Sequence, residues 1–193
     1  MLRKLYDWTI GLARSPYALW GLAFVAFVES SVFPIPPDIL LIPMIIAAPR
    51  RAFLYAGVAT VASVAGGAFG YYIGAFAFDS IGRPVLEFYG KTDGFDQFTQ
   101  RYNEWGAWAV LVAGVTPFPY KVITILSGAT HLSFPVFMIS SLIARGLRFF
   151  VVGALLWFFG EPIRDFIERR LGLVFIALVV LLFAGFYAVT FLH

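Results

Sequence analysis

The sequence contains no cysteine and little charge. The lack of cysteine excludes disulfide bonds, thiolate catalysis and metal sites built on thiolates. Only 13% of the 193 residues are charged, 61% are hydrophobic and the mean hydropathy is +0.85, which excludes an ordinary water-soluble domain. The formal net charge of +3 is too small and dispersed for a nucleic-acid-binding protein. We therefore predict one membrane domain over residues 1–193.

Motifs for catalysis are also missing. The chain has no His-Glu-x-x-His, no Gly-x-Ser-x-Gly and no P-loop. Its two histidines, His131 in a predicted loop and His193 at the terminus, cannot assemble a zinc site or a histidine-based phosphatase. We expect no enzymatic activity, no metal and no cofactor. A hydrolase that uses only the carboxylates of Glu29 and Asp38 is the remaining enzymatic alternative.

Three apolar stretches are long enough to cross a membrane, at 52–78, 135–160 and 171–192. A spanning helix needs about 20 apolar residues, because a rise of about 1.5 Å per residue must cover about 30 Å of hydrocarbon. The first stretch is rich in glycine, which lets transmembrane helices approach closely. Residues 1–15 mix apolar and charged side chains and predict a short amphipathic segment at the interface.

Two other apolar stretches are interrupted by prolines. The interruptions are Pro34, Pro36 and Pro37 within residues 16–48, and Pro117 and Pro119 within residues 105–130. Proline removes a backbone donor and cannot continue a helix. Each stretch is therefore predicted to be a hairpin that enters the membrane, turns at the prolines and returns. The alternative is a single kinked span in each case.

The two interrupted stretches match at an offset of 83 residues. The matched pairs are Pro34 with Pro117, Pro36 with Pro119, Asp38 with Lys121, and Gly70 with Gly153. Because one span lies between the hairpins, they enter from opposite faces and form an inverted repeat, which is typical of transport sites at the midplane. The predicted fold class is an all-α polytopic membrane protein, with two opposed re-entrant helical hairpins, three full transmembrane helices and amphipathic surface segments.

The basic residues give this topology an orientation. Eight lie on the side of the N-terminus (Arg3, Lys4, Arg14, Arg50, Arg51, Arg164, Arg169, Arg170) and three on the other (Arg83, Lys91, Arg101). This bias predicts a multi-pass protein of the plasma (inner) membrane with a cytoplasmic N-terminus and an outside C-terminus. The connection at 79–104 is then extracytoplasmic, and Phe95 and Phe98 indicate an amphipathic helix in it. The oligomeric state, including a homo-oligomer, stays open.

Five ionisable residues lie in apolar sequence: Glu29, Asp38, Lys121, Arg145 and Arg148. A charge at the bilayer centre costs at least about 2.5 kcal/mol, so these groups must be paired or hydrated. Arg145 and Arg148 are three residues apart and share one face of a helix. Two acids against three bases leave one positive charge, which suits an anionic group and phosphate above all. Lys121, Arg145 and Arg148 are therefore candidates to bind a phosphate headgroup.

The acids and the prolines have different predicted roles. Glu29 and Asp38 are candidates for gating or for carrying a coupling proton, because a low dielectric favours the protonated carboxyl group. The five prolines are expected to shape the hairpin tips. A structural alternative is that the charges only hold the hairpins to the arginine-bearing helix as buried ion pairs. Which acid pairs with which base is not decided by the sequence.

The run from Phe27 to Asp38, FVESSVFPIPPD, resembles the first signature of the DedA or VTT-domain family of membrane proteins. That signature has an acid, prolines at a hairpin tip and a second acid nine positions after the first; Pro37 stands where the family usually has glycine. Most members of the family have a second signature, an Arg-aromatic-x-Pro-Gly-x-Arg run. The run from Thr116 to Lys121, TPFPYK, departs from it and resembles the YqaA-like branch. Lys121 stands near one of the two usual arginines, and Thr116 replaces the other. The resemblance covers roughly residues 23–160.

The resemblance implies two opposed re-entrant hairpins and a role in moving lipids between leaflets, including polyprenyl phosphates and phospholipids; proton-coupled transport is also proposed for the family. Together with the excess intramembrane cation, it favours a flippase- or scramblase-type transporter of a phosphate-bearing lipid, with membrane lipids and protons as partners. One alternative is a proton- or ion-coupled transporter of a small solute. Another is a non-transporting membrane assembly factor.

Overall fold

The computed structural model describes residues 17–33, 36–90, 92–116, 118–160 and 162. Its regular secondary structure in these residues is entirely helical, in agreement with the predicted all-α class. The amphipathic segment predicted at 1–15 and the span predicted at 171–192 lie outside the described residues.

The helices follow one another along the chain with short connections. Their bounds are α1 (Ala18–Ser31), α2 (Asp38–Ala47), α3 (Ala52–Ala77), α4 (Arg83–Phe88), α5 (Thr92–Val115), α6 (Tyr120–Ala129) and α7 (Phe134–Gly160). A 3-10 turn at Pro49–Arg51 precedes α3 and a π-helical turn at Phe78–Gly82 follows it, so helical backbone runs from Pro49 to Phe88. This long segment and α7 are apolar and long enough to cross a membrane.

Both proline-rich stretches consist of two helices with a break between them. In the first, α1 ends at Ser31 and Pro37 precedes α2; in the second, α5 ends at Val115 and Pro119 precedes α6. Proline is favoured at a helix start because its missing N–H is not needed there. The carbonyl of Pro37 accepts backbone hydrogen bonds that open the first turn of α2. Pro34 and Pro117 lie outside the described residues.

The helix boundaries repeat along the chain with nearly the offset found in the sequence. The starts of α2 and α3 recur 82 residues later as the starts of α6 and α7, and the end of α1 recurs 84 residues later as the end of α5. The repeat therefore extends to secondary structure and includes both breaks.

The connection before the second break differs from the expected boundaries. The sequence predicts separate elements at 79–104 and 105–130, whereas α5 is one helix of 24 residues that begins at Thr92. The first turn of α5 packs against the π-helical turn that follows α3, because the ring of Phe95 stacks on that of Phe78 with centroids 4.3 Å apart. Residues 92–104 of the polar connection and the apolar start of the second stretch thus form a single helix.

Glycines in α3 bring the other helices into backbone contact with it. A Cβ atom on Gly66 would collide with the backbone of Phe27 in α1, and one on Gly74 would collide with Ile125 in α6. Small residues of this kind permit close helix packing in membranes. These contacts hold α1 and α6, one helix from each half of the repeat, directly against α3.

The second long helix, α7, packs along α3 in the antiparallel direction. Arg145 lies against Ser63, whereas Gly153, two turns further along α7, lies against Ala52 and Ala56 near the start of α3. Because Ser63 and Arg145 are each near the middle of their helix, their contact lies at the mid-length of both long helices.

Candidate functional site

The Arg145 guanidinium is buried at the centre of the helix bundle. Its Nη2 donates a hydrogen bond to Glu29 Oε2 at 2.7 Å, and its Nε donates to Ser63 Oγ at 2.6 Å. The side chains of Arg145 and Glu29 are 0% and 10% exposed. We call this ion pair the sealed pair; it joins α7 to α1 and α3.

Aromatic rings flank the sealed pair. The Arg145 Cζ atom lies 4.8 Å from the ring centroid of Tyr120 and 4.7 Å from that of Phe149. The Tyr120 hydroxyl donates to Ser141 Oγ on α7, which fixes the ring in place. Attraction between a cation and a ring strengthens where water is excluded, so both rings stabilise the buried charge.

Hydroxyl groups complete the surroundings of Glu29. Ser30 Oγ donates to Glu29 Oε2 at 3.1 Å and lies 2.6 Å from Ser63 Oγ. From α6, Thr124 Oγ1 donates to the carbonyl of Ser30 at 3.0 Å. A buried ion pair is tolerated when further hydrogen bonds satisfy its polar atoms; Nε and Nη2 of Arg145 are satisfied here, whereas its Nη1 has no partner among the described residues. The end of α1 is therefore bonded to α3, α6 and α7.

The second arginine of α7 makes a more accessible ion pair. Arg148 Nη2 lies 2.7 Å from Asp38 Oδ2, with the two side chains 18% and 20% exposed. We call this the open pair. Asp38 is the first residue of α2, where the helix dipole stabilises a negative charge. Its Oδ1 atom has no hydrogen-bond partner in the part of the chain that the structure describes.

Two cations contact carbonyls at the breaks between helices. Arg148 Nη1 donates to the carbonyl of Thr116, just after α5, and Lys121 Nζ donates to the carbonyl of Val32, just after α1, both at 3.3 Å. Such carbonyls carry the negative end of the helix dipole. No carboxylate among the described residues lies within ion-pair distance of Lys121, so its charge is not neutralised there.

The structure brings together four of the five predicted charges as two ion pairs and places Lys121 at the first break. Pro36, Pro37 and Pro119 border the breaks between helices, and their role at hairpin tips stays a prediction. Sequence reasoning missed Ser63 and Tyr120, which contact Arg145, and Thr124, which donates to the carbonyl of Ser30. Ser63 and Thr124 are polar residues within apolar helices, a signal that could have indicated them.

A small cavity of about 100 Å³ lies away from these charges. It is lined by residues of the π-helical turn, α4, α5 and the end of α6: Phe78, Arg83, Leu86, Thr92, Phe95, Asp96, Thr99, Ala129 and His131. Beside it, His131 Nε2 lies 3.1 Å from Asp79 Oδ1 on the molecular surface. None of the five intramembrane charges lines this cavity, so the candidate site is the pair of breaks with the open pair between them.

Comparison with known proteins agrees with this architecture. The VTT-domain family model matches residues 35–158. A protein of Haemophilus influenzae is 33% identical over 183 residues, covering 95% of both chains, and one of Histophilus somni is 38% identical over 183 residues, covering 92% of this chain and 95% of its own. Both relatives are described as uncharacterized. No solved structure matches. The chain therefore belongs to the VTT-domain, or DedA, family of membrane proteins.

Proposed function

We propose that the protein moves a phosphate-bearing lipid between the two leaflets of the plasma membrane. The observation that carries this proposal is the position of Lys121 and Arg148 at the two helix breaks. Lys121 Nζ and Arg148 Nη1 each contact a backbone carbonyl there at 3.3 Å, while Arg148 Nη2 keeps its ion pair with Asp38. Family membership supports a broadly transporter-like protein in the membrane.

The headgroup would bind by replacing those carbonyls. Contacts of 3.3 Å to neutral carbonyl oxygens are long, whereas a hydrogen bond from a cation to an ionised phosphate oxygen is shorter and adds the attraction of opposite charges. Arg148 can offer its planar fork to two phosphate oxygens, and Lys121 supplies the positive charge that no described carboxylate neutralises. The site thus has the positive charge for an anion, and donors that an anion could take over from the two carbonyls.

The surroundings of the open pair favour a lipid over a small solute. Ile39, next to Asp38, and Leu147, next to Arg148, are exposed apolar side chains, as is Val32 at the first break. A headgroup can enter such a site from the side while its acyl chains stay in the hydrocarbon. A binding site for a small solute would instead be a concave pocket that buries most of the ligand surface.

The proposed topology completes this mechanism. The two interrupted stretches would be re-entrant hairpins from opposite faces, with the N-terminus cytoplasmic and the proline tips meeting at the midplane. Because helix breaks in a membrane must line protein or water, the tips would enclose a hydrated path.

Asp38 would act as the gate, since it must release Arg148 when the headgroup binds; Glu29 would keep its contact with Arg145. A proton taken up by a released carboxylate would couple transport to the pH gradient.

The test is lipid movement in reconstituted liposomes. Labelled phospholipid or undecaprenyl phosphate is placed in one leaflet, and its appearance in the other is followed for wild type, Arg148→Ala and Arg101→Ala. Arg101 is the control because it is exposed on α5 and outside both pairs. We expect wild type and Arg101→Ala to move lipid and Arg148→Ala to match protein-free vesicles.

Other outcomes contradict the proposal. Wild type at the protein-free rate excludes lipid translocation by this protein. Uptake of a small solute driven by a pH gradient, lost in Asp38→Asn and without lipid movement, identifies a solute transporter. If Arg148 and Asp38 are both replaced by apolar residues and the variant still complements a strain that lacks the protein, the charges are structural, as expected for an assembly factor.

A further inference from the structure

The two ion pairs of α7 differ in what can reach them. Arg145 is 0% exposed, with Tyr120 and Phe149 beside its guanidinium, Glu29 on Nη2 and Ser63 on Nε, and its buried Nη1 has no hydrogen-bond partner among the described residues. Because the side chain is fully buried, an anion could reach it only if the surrounding side chains moved. Arg148 is partly exposed and keeps one nitrogen on a replaceable carbonyl. The two arginines therefore cannot serve the same purpose, although they share a helix face.

The contacts of Arg145 connect α7 to three other helices at one point. Glu29 belongs to α1, Ser63 to α3 and Tyr120 to α6. Close backbone contacts at Gly66 and Gly74 already hold α1 and α6 against α3, so these three helices form a fixed frame. The contacts of Arg145 therefore fix the rotation of α7 about its own axis and its position along that axis relative to α1, α3 and α6.

The position of Arg148 depends directly on that anchoring. Arg148 follows Arg145 by three residues, a rise of about 4.5 Å, so any rotation or sliding of α7 at Arg145 moves Arg148 by a similar amount. The ion pair with Asp38 has a distance of 2.7 Å, which tolerates little displacement.

We infer that Arg145 is a positioning residue: it holds α7 where Arg148 meets Asp38, and it does not contact the transported headgroup. The inference rests on the proposed function for the role of Arg148. It divides the three predicted headgroup-binding cations into two that bind, Lys121 and Arg148, and one that positions.

Lysine substitution distinguishes the two roles. One ammonium group at position 145 lacks the planar fork that directs separate nitrogens at Glu29 and Ser63 and stacks on aromatic rings. At position 148, a lysine still presents a cation to Asp38 and to a headgroup. We therefore expect Arg148→Lys to retain transport above the protein-free level and Arg145→Lys to lose it.

A distance measurement tests positioning without any transport. The chain has no cysteine, so nitroxide labels can be attached at Ile39→Cys on α2 and Leu147→Cys on α7, both of which are exposed. Dipolar coupling between the labels reports the separation of α2 and α7 in lipid. We expect a narrow distance distribution in the otherwise wild-type protein and in Arg148→Lys, and a broadened or shifted one in Arg145→Lys.

A milder variant keeps the test valid where Arg145→Lys does not fold. Ser63→Ala removes the hydrogen bond to Arg145 Nε and leaves the ion pair with Glu29, so we expect partial broadening. Unchanged distributions in both Arg145→Lys and Ser63→Ala overturn the inference, as does broadening in Arg148→Lys alone. Failure of the wild type to move lipid would remove the proposed function but leave the distance result unaffected, so the two failures are distinguishable.

Discussion

Thr124 of α6 donates a hydrogen bond to the carbonyl of Ser30 at the end of α1, across 3.0 Å and 94 residues of sequence. The bond links non-equivalent helices of the two halves of the repeat, because α1 precedes the first break and α6 follows the second. Ser30 is also bonded to Glu29 and adjacent to Ser63, so the link between the halves and the sealed pair belong to one polar network.

Removing this hydroxyl should cost a measurable amount of stability. Thr124→Val keeps the shape of the side chain, and we expect a loss of about 0.6 kcal/mol, the average for hydrogen bonds between transmembrane helices. Thr99→Val is the matched control, because the hydroxyl of Thr99 has no hydrogen-bond partner among the described residues. The free energy of unfolding in detergent or bicelles measures both. Equal effects of the two substitutions would show that the bond between the halves contributes nothing.

A second prediction concerns the glycines that bring α1 and α6 onto α3. Gly74→Ala places a methyl group against the backbone of Ile125, which cannot move away cheaply, so we expect a loss of at least about 1–3 kcal/mol. Gly57→Ala in the same helix meets nothing within 4 Å and is expected to leave stability unchanged or to raise it. Thermal unfolding of the two variants gives the comparison. A tolerated Gly74→Ala would contradict the close packing of α6 on α3.

The positions of charges and helix breaks are predictable from sequence because each follows from local chemistry: proline interrupts a helix wherever it lies, and a charge in an apolar run is visible as such. The pairing is not predictable, because Arg145 and Arg148 share a face and either could meet Glu29. Their partners depend on how far α7 is rotated on α3, which the contacts at Ser63 and Gly153 determine. Phe95 and Phe98 indicated a helix in the connection, but its continuity with the apolar stretch was not predicted, because hydropathy changes along α5 while the backbone stays helical.

The sealed and open pairs should differ in their contribution to stability. Removing one partner of a buried pair leaves an uncompensated charge, with a typical cost of about 3–5 kcal/mol. We expect Glu29→Gln to approach that range and Asp38→Asn to cost less, because the open pair reaches solvent or headgroups. Double-mutant cycles with Arg145→Gln and Arg148→Gln, measured by unfolding, isolate each coupling energy. A larger coupling energy for the open pair, Arg148 and Asp38, than for the sealed pair, Arg145 and Glu29, would contradict this prediction.

Lys121 should contribute charge to the proposed transport site without contributing to the fold. Its ammonium contacts one carbonyl at 3.3 Å, so Lys121→Gln removes little stabilising energy but removes the cation that no described carboxylate neutralises. We expect slower movement of anionic lipid in liposomes, an unchanged unfolding temperature, and retained transport in Lys121→Arg. Zwitterionic lipid is the internal control, because its net charge is zero and its transport should depend less on the lysine. If Lys121→Gln slows both lipids equally, or lowers the unfolding temperature, Lys121 stabilises the first break and does not select an anionic headgroup.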